Sequence, residues 1–225
     1  MTDLMDRARW LQEQRRATQA DFDTHAPTYD REDEEMTSTH RRFVSALIER
    51  TKAGGRILDA ACGTGKYFGM VLDAGREVVG VDQSTGMLAE ANSRYPEAHT
   101  EAVGLQELAF TEVFDAVMCV DAMENVFPED WPLAIGNLRN ALRPDGHLYL
   151  TVETKDAGIV EASFALATDR GLPVVAGEYL SHGYYHFYPP IPQVLEWMDN
   201  AGFTVVEEDR SEGNGYGYVH LLAHA

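Results

Sequence analysis

The chain has 225 residues, 44% of them hydrophobic, and sets 18 Lys and Arg against 37 Asp and Glu, a formal charge of −19 at pH 7. That length suits a single α/β domain with a substantial core; no apolar run approaches the ~18 residues of a membrane-crossing helix, and the acidic amino terminus with Asp3 and Asp6 is unlike an export signal, so a cytoplasmic chain without a membrane partner is expected. Such acidity repels phosphate backbones, which argues against nucleic acid and favours a neutral or cationic small molecule as partner.

In chain order, Leu4, Ala8 and Leu11 recur at helical spacing, and Phe43, Val44, Leu47 and Ile48 do so again before Gly54-Gly55. Residues 21–35 between them read as a polar hinge, with the acidic run Glu32-Asp33-Glu34-Glu35 as solvated surface. Residues 1–53 are thus expected to form a helical cap. From Arg56 onward, short apolar runs at 57–58, 78–81, 114–120 and 147–152 alternate with helix-like stretches, the signature of a mostly parallel sheet with helices on both faces. Cys62 and Cys119 fall inside apolar stretches as buried thiols, and no Cys/His spacing matches a zinc framework, so no metal is expected.

After this 54–153 core comes a long connector, 154–190, with a helix around 159–168 and the aromatic stretch Tyr184-Tyr185-His186-Phe187-Tyr188-Pro189-Pro190. Connectors of this length are often functional, and this one is expected to cover a substrate. The last unit, 191–225, reads as a helix over 191–200 stopped by Ala201-Gly202, then strands at 203–207 and 216–223 about a Gly-rich turn at 213–217, an antiparallel hairpin closing one sheet edge. The whole chain is one domain on this reading, monomeric or homodimeric.

The segment Arg56-Ile57-Leu58-Asp59-Ala60-Ala61-Cys62-Gly63-Thr64-Gly65-Lys66 runs an apolar strand into Gly63-x-Gly65 and then into a helix. Glycine lets the backbone turn sharply and approach a ligand closely, although a plain strand-to-helix turn would also contain it. Phe68 stands where a dinucleotide fingerprint has its third small residue, and the four-residue spacing with Lys-Ser/Thr of a phosphate loop is absent, which disfavours NAD and ATP. Asp82 ends the second strand 17 residues beyond Gly65. Two readings of it stand: an acceptor for both hydroxyls of a ribose, or a cap for the helix beginning near Ser84.

These segments, followed by Val79-Gly80-Val81-Asp82-Gln83-Ser84, Phe114-Asp115-Ala116-Val117 and Leu142-Arg143-Pro144-Asp145-Gly146, resemble in order and spacing the successive motifs of class I S-adenosylmethionine-dependent methyltransferases, with Ala201-Gly202-Phe203 extending the match. The resemblance implies a Rossmann-like seven-stranded sheet with an antiparallel last strand, and S-adenosylmethionine as cofactor. It implies Asp59, Ala61, Gly63 and Gly65 around the methionine portion, Asp82 on the ribose, and Gln83 and Met87 beside the adenine. Tyr29-Asp30 resembles the family's amino-terminal signature, whose tyrosine reaches the methionine carboxylate. Where many relatives carry Gly-Asp-Ala after the third strand, this chain reads Val103-Gly104-Leu105-Gln106-Glu107-Leu108, so Leu105 and Gln106 are the expected adenine contacts.

The loop after the fourth strand, Cys119 to Val126, resembles the family segment facing the methyl group, with Asn125 where relatives often have His and without their Asn/Asp-Pro-Pro-Tyr/Phe run for macromolecular amines. Asp121 is therefore expected at both cofactor and reaction centre. If 181–188 is one extended run, His182, Tyr184, His186 and Tyr188 share one face and Tyr185 and Phe187 the other, and His182 and His186 lie roughly 13 Å apart, too far to share an ion. On that wall His186 is the expected general base, with Glu124, His182 and Tyr185 as further substrate contacts. The resulting expectation is methyl transfer to an O, N or C atom of a small aromatic or apolar metabolite, by analogy a step of natural-product biosynthesis. Its rivals are a protein that binds the cofactor for another reaction and a non-catalytic cofactor sensor.

Overall fold

The computed structural model describes residues 2–32, 36–181, 183–212 and 215–225. Helices α1 (Thr2–His25), α2 (Tyr29–Glu32) and α3 (Ser38–Arg50) lead into β1 (Arg56–Ala60), α4 (Phe68–Asp73), β2 (Glu77–Asp82), α5 (Thr85–Arg94), β3 (His99–Ala102), β4 (Phe114–Cys119), α6 (Trp131–Ala141) and β5 (Leu142–Thr154). Then follow α7 (Ala157–Asp169), β6 (Glu178–Ser181), β7 (Tyr184–Phe187), α8 (Ile191–Asn200), β8 (Thr204–Glu212) and β9 (Gly217–His224). Seven strands form one sheet in the order β3-β2-β1-β4-β5-β9-β8, and β6 pairs only with β7. The first five of the sheet are parallel, and β9 runs antiparallel to both neighbours, so the Rossmann-like sheet and closing hairpin stand as expected.

Because successive strand side chains point to opposite faces, the inner strands feed two cores. Leu58, Ala60, Val117, Cys119, Leu148, Leu150, Leu221 and Ala223 join α6 and α8 on one face. Ile57, Ala116, Met118, Tyr149 and Leu222 join α3 and α4 on the other. Each large apolar side chain so buried contributes roughly 1.5–3 kcal/mol.

The turn from β1 to α4 uses glycine in an unforeseen way. Phe68 opens α4 and its ring lies against Gly80 of β2, where an added Cβ would meet the ring at 2.4 Å and the Cys62 sulfur at 2.8 Å. The close helix-to-strand contact that a small residue at position 68 would give is made instead by placing the glycine on the strand.

Two expectations need correction, and two others fall partly outside the described residues. Helix α1 runs through Asp21 to His25, so among the described residues of the expected hinge only 26–28 lie outside a helix; the Phe22 and Tyr29 rings meet edge-on across them at 6.3 Å. Asp33, Glu34 and Glu35 of the acidic run lie outside the described residues, as do Gly213 and Asn214 between the last two strands. The aromatic stretch is not one extended run: the chain folds back at Gly183 (φ +90°) and pairs Tyr185 with Leu180 and Phe187 with Glu178.

Candidate active site

Strands β2 and β4 flank β1, and the chain leaves β1 in one direction across the sheet and returns to β4 on the other side, which opens a crevice beyond their carboxyl ends. The cleft there is partly open to solvent. Tyr29, Ala61, Gly63, Asp82, Gln83 and Met87 line it, as do Leu105, Gln106 and Asp121, nine of the eleven cofactor residues expected from sequence. Gly65 is not on the lining; it sits one turn back, packed on the Phe68 ring. Asp59 lies two residues before Ala61 within β1 and is 1% exposed.

Two backbone N–H groups fix Asp82, that of Gly63 at 2.9 Å and that of Ser84 at 2.8 Å. The helix cap belongs to Ser84, whose hydroxyl accepts from Met87 N at 3.1 Å and donates to Asp23 at 2.6 Å. Gly63 has φ +53° and open space where a Cβ would stand, so the loop presents bare backbone to the cleft. Burial first, and then the neighbouring Asp82, pushes the Asp59 carboxyl up to about 8. Its Oδ2 has no hydrogen-bond partner among the described residues, an arrangement that costs free energy unless a ligand donates to it.

The amino-terminal helices close one side. Arg15, Thr18 and Phe22 of α1 line the cleft, while Asp23 accepts from Gly86 N and Gln19 donates to the Gln83 carbonyl. Farther along, Arg7 pairs with Glu129 and with the fully buried Glu178. Asp30 accepts from Thr64 Oγ1 at 2.7 Å and pairs with Arg94, which straps α2 across the glycine turn.

At the end of β4, Asp121 is held in the left-handed region (φ +53°) with its N–H donating to Thr151 Oγ1 at 2.8 Å. Its carboxylate lies 3.1 Å from His40 Nε2, and His40 Nδ1 lies 2.6 Å from the Thr37 hydroxyl. A carboxylate only accepts, so Nε2 donates to Asp121. Glu124 is buried with Oε2 unpartnered. Asn125 and Val126 complete the lining.

Tyr185 and His186 of the expected aromatic wall are not among the residues that line this cleft. Tyr185 is buried between Trp10 and Phe127 and donates to Glu178 at 2.6 Å. His186 stacks on Tyr188, and burial, then Lys155, brings it down to about 4. That lowered value makes the His186 imidazole a weaker base than a free one, against the general-base role expected of it. His182 lies outside the described residues.

A model described as a methyltransferase domain matches residues 57–146. Ubiquinone biosynthesis O-methyltransferase of Xanthomonas axonopodis pv. citri is 29% identical over 176 residues, covering 72% of this chain and 67% of that protein. The chain belongs to the class I S-adenosylmethionine-dependent methyltransferases. Among solved structures, Burkholderia thailandensis 1,6-didemethyltoxoflavin-N1-methyltransferase, with bound 1,6-didemethyltoxoflavin and S-adenosylhomocysteine, shares the fold at TM-score 0.70 and 20% identity, over 95% of this chain and 89% of that one. The 4+2 cyclase SpnF does so at TM-score 0.63 and 19% identity, over 85% and 89%.

The cofactor of this methyltransferase is S-adenosylmethionine, and the cleft suits it: a fixed carboxylate lines it, an open glycine turn admits close approach, and a buried carboxyl nearby has an oxygen with no partner among the described residues. Sequence reasoning missed Arg15, Thr18, Phe22 and His40. Only Thr37-x-x-His40, a helix-start pattern, marked any of them, and nothing local tied it to Asp121 81 residues away.

Proposed function

We propose that this methyltransferase moves the methyl group of S-adenosylmethionine to an O, N or C atom of a small aromatic or apolar metabolite, and that nucleic acid is not its substrate. The observation that carries this reading is a single cleft shared by Asp82, anchored on the Gly63 turn, and Asp121 at the end of β4. Asp82 accepts from the ribose hydroxyls; Gln83, Met87, Leu105 and Gln106 flank the adenine; Asp59, Ala61, Gly63, Gly65 and Tyr29 hold the methionine end. When bound, the cofactor supplies a methyl group on a positively charged sulfur. Asp121 holds negative charge beside that centre, and Phe22, Tyr29 and Val126 offer apolar surface that excludes water. Alignment of acceptor and methyl supplies much of the rate, since well-oriented pairs reach effective molarities of ~10⁵ M or more.

Incubation with methyl-labelled S-adenosylmethionine and a panel of small phenols, amines and activated carbon acids tests the proposal. Label in a small-molecule product, together with S-adenosylhomocysteine, is expected. Conversion of an acceptor with all label left in intact cofactor would instead establish the non-methylating reading.

A further inference from the structure

The chain satisfies one buried carboxylate fully. Glu178 has no exposed side-chain surface, yet it pairs with Arg7, accepts from the Tyr185 hydroxyl at 2.6 Å and accepts from Val175 N at 2.7 Å. Glu124 is buried to a similar degree and receives nothing comparable. Its Oε1 accepts from its neighbour Asn125 at 3.1 Å, and its Oε2 accepts from no described residue.

The turn that carries it, Met123–Asn125, packs against β5 and β7. That contact sets Glu124 among like charges. Burial raises it well above the usual carboxyl range, and Glu153 at the end of β5, then Asp121, raise it further. Glu153 is likewise raised by burial, against the Tyr188 hydroxyl, which donates to it at 2.9 Å, and against Lys155. The Lys155 ammonium sits 5.0 Å from the centre of the Tyr179 ring, and Lys155 forms no ion pair with Glu153 among the described residues. Tyr218 feels the same three carboxylates. Glu124 is buried, whereas Glu153, Tyr188, Tyr218 and Asp121 are half-buried, so the group has an accessible side, and Asp121 belongs to the cofactor cleft as well.

A buried carboxyl with an unpartnered oxygen beside a second, half-buried one is costly for a fold, and an ammonium group satisfies its needs: positive charge, hydrogen-bond donors, and affinity for the faces of the flanking phenols. We propose that Glu124 and Glu153, with Tyr188 and Tyr218, form a subsite for a protonated amine on the methyl acceptor. This rests on the reading of the chain as a small-molecule methyltransferase and narrows its substrates to amine-bearing compounds.

The test uses 2-phenylethylamine, 2-phenylethanol and 3-phenylpropionate, each titrated by calorimetry into the full chain saturated with S-adenosylhomocysteine. The amine is expected to bind at least tenfold tighter than the alcohol and the acid, and Glu124→Gln to abolish that preference while S-adenosylhomocysteine affinity stays within twofold. Equal or weaker binding of the amine, failure of all three to bind, or an amine preference that survives both Glu124→Gln and Glu153→Gln would overturn the proposal. Thermal unfolding supplies a ligand-free control: Glu124→Gln is expected to unfold at the same or a higher temperature than wild type, and a drop of several degrees would make the carboxyl structural. If wild type fails to bind S-adenosylhomocysteine at all, the methyltransferase reading itself has failed, an outcome distinct from lost amine preference.

Discussion

Asp82 already accepts two backbone N–H groups, at 2.9 and 2.8 Å, so its carboxylate is oriented before any ligand arrives. Charge-assisted bonds to ribose hydroxyls are worth about 1.5–3 kcal/mol. Asp82→Ala is therefore expected to weaken S-adenosylhomocysteine binding on the order of 10- to 100-fold by calorimetry, and unchanged affinity would remove Asp82 from the cofactor site. For His186→Ala the expectation is a negative one. With the imidazole stacked on Tyr188 and held near 4, turnover on any accepted substrate should fall less than tenfold, against the ~10² to 10⁴ of a true general base. Asp82 and Gly63 were legible in the sequence because a strand-ending carboxylate and a residue with φ +53° are demanded locally. His40 was not, because its meaning comes from Asp121 across the fold.

Strands and helices were legible wherever burial is regular. The helix at 191–200 has the bounds read from sequence, and the β8–β9 hairpin closes the sheet edge as expected. The β6–β7 fold-back was not, since an alternating run of aromatics looks the same whether it continues straight or reverses at Gly183. The extension of α1 past Asp21 escaped for a related reason: polar composition says nothing of the tertiary contacts, Gln19 to Gln83 and Asp23 to Gly86, that hold it. Helix α3 depends on Phe43, which is fully buried and stacked 5.3 Å from Tyr149 of β5. Phe43→Ala is expected to cost about 3–5 kcal/mol, a fall in melting temperature on the order of 10 °C in calorimetry. A fall of only a degree or two would mean that α3 contributes little to the fold.

Across the whole molecule the shifted groups act on stability in opposite directions. Asp59 is raised to about 8, and Asp82, Glu124 and Glu153 are raised with it. Their contribution is full below the unfolded carboxyl value near ~4 and is lost as pH rises, for Asp59 through about 8. His186 and His220, both lowered to about 4, contribute fully above ~6.5 and lose it as pH falls through 4. The ligand-free melting temperature should thus peak at mildly acid pH and decline from pH 6.5 to 8. Asp59→Asn should flatten that decline, and a melting temperature rising steadily to pH 8 would refute the account.

Asp115 holds the opposite end of the sheet. It accepts from Arg56 N at 2.9 Å and pairs with Lys52 and Arg143, drawing the starts of β1, β4 and β5 together around one satisfied carboxylate. Asp59 and Glu124, the two carboxyls with orphaned oxygens among the described residues, lie within β1 and beyond the end of β4, toward the other rim. The strand axis is therefore also a gradient of local opening. In amide hydrogen exchange, protection should be greatest beside Asp115 and fade toward the cleft, and S-adenosylhomocysteine should slow exchange at the labile rim while leaving the anchored one unchanged.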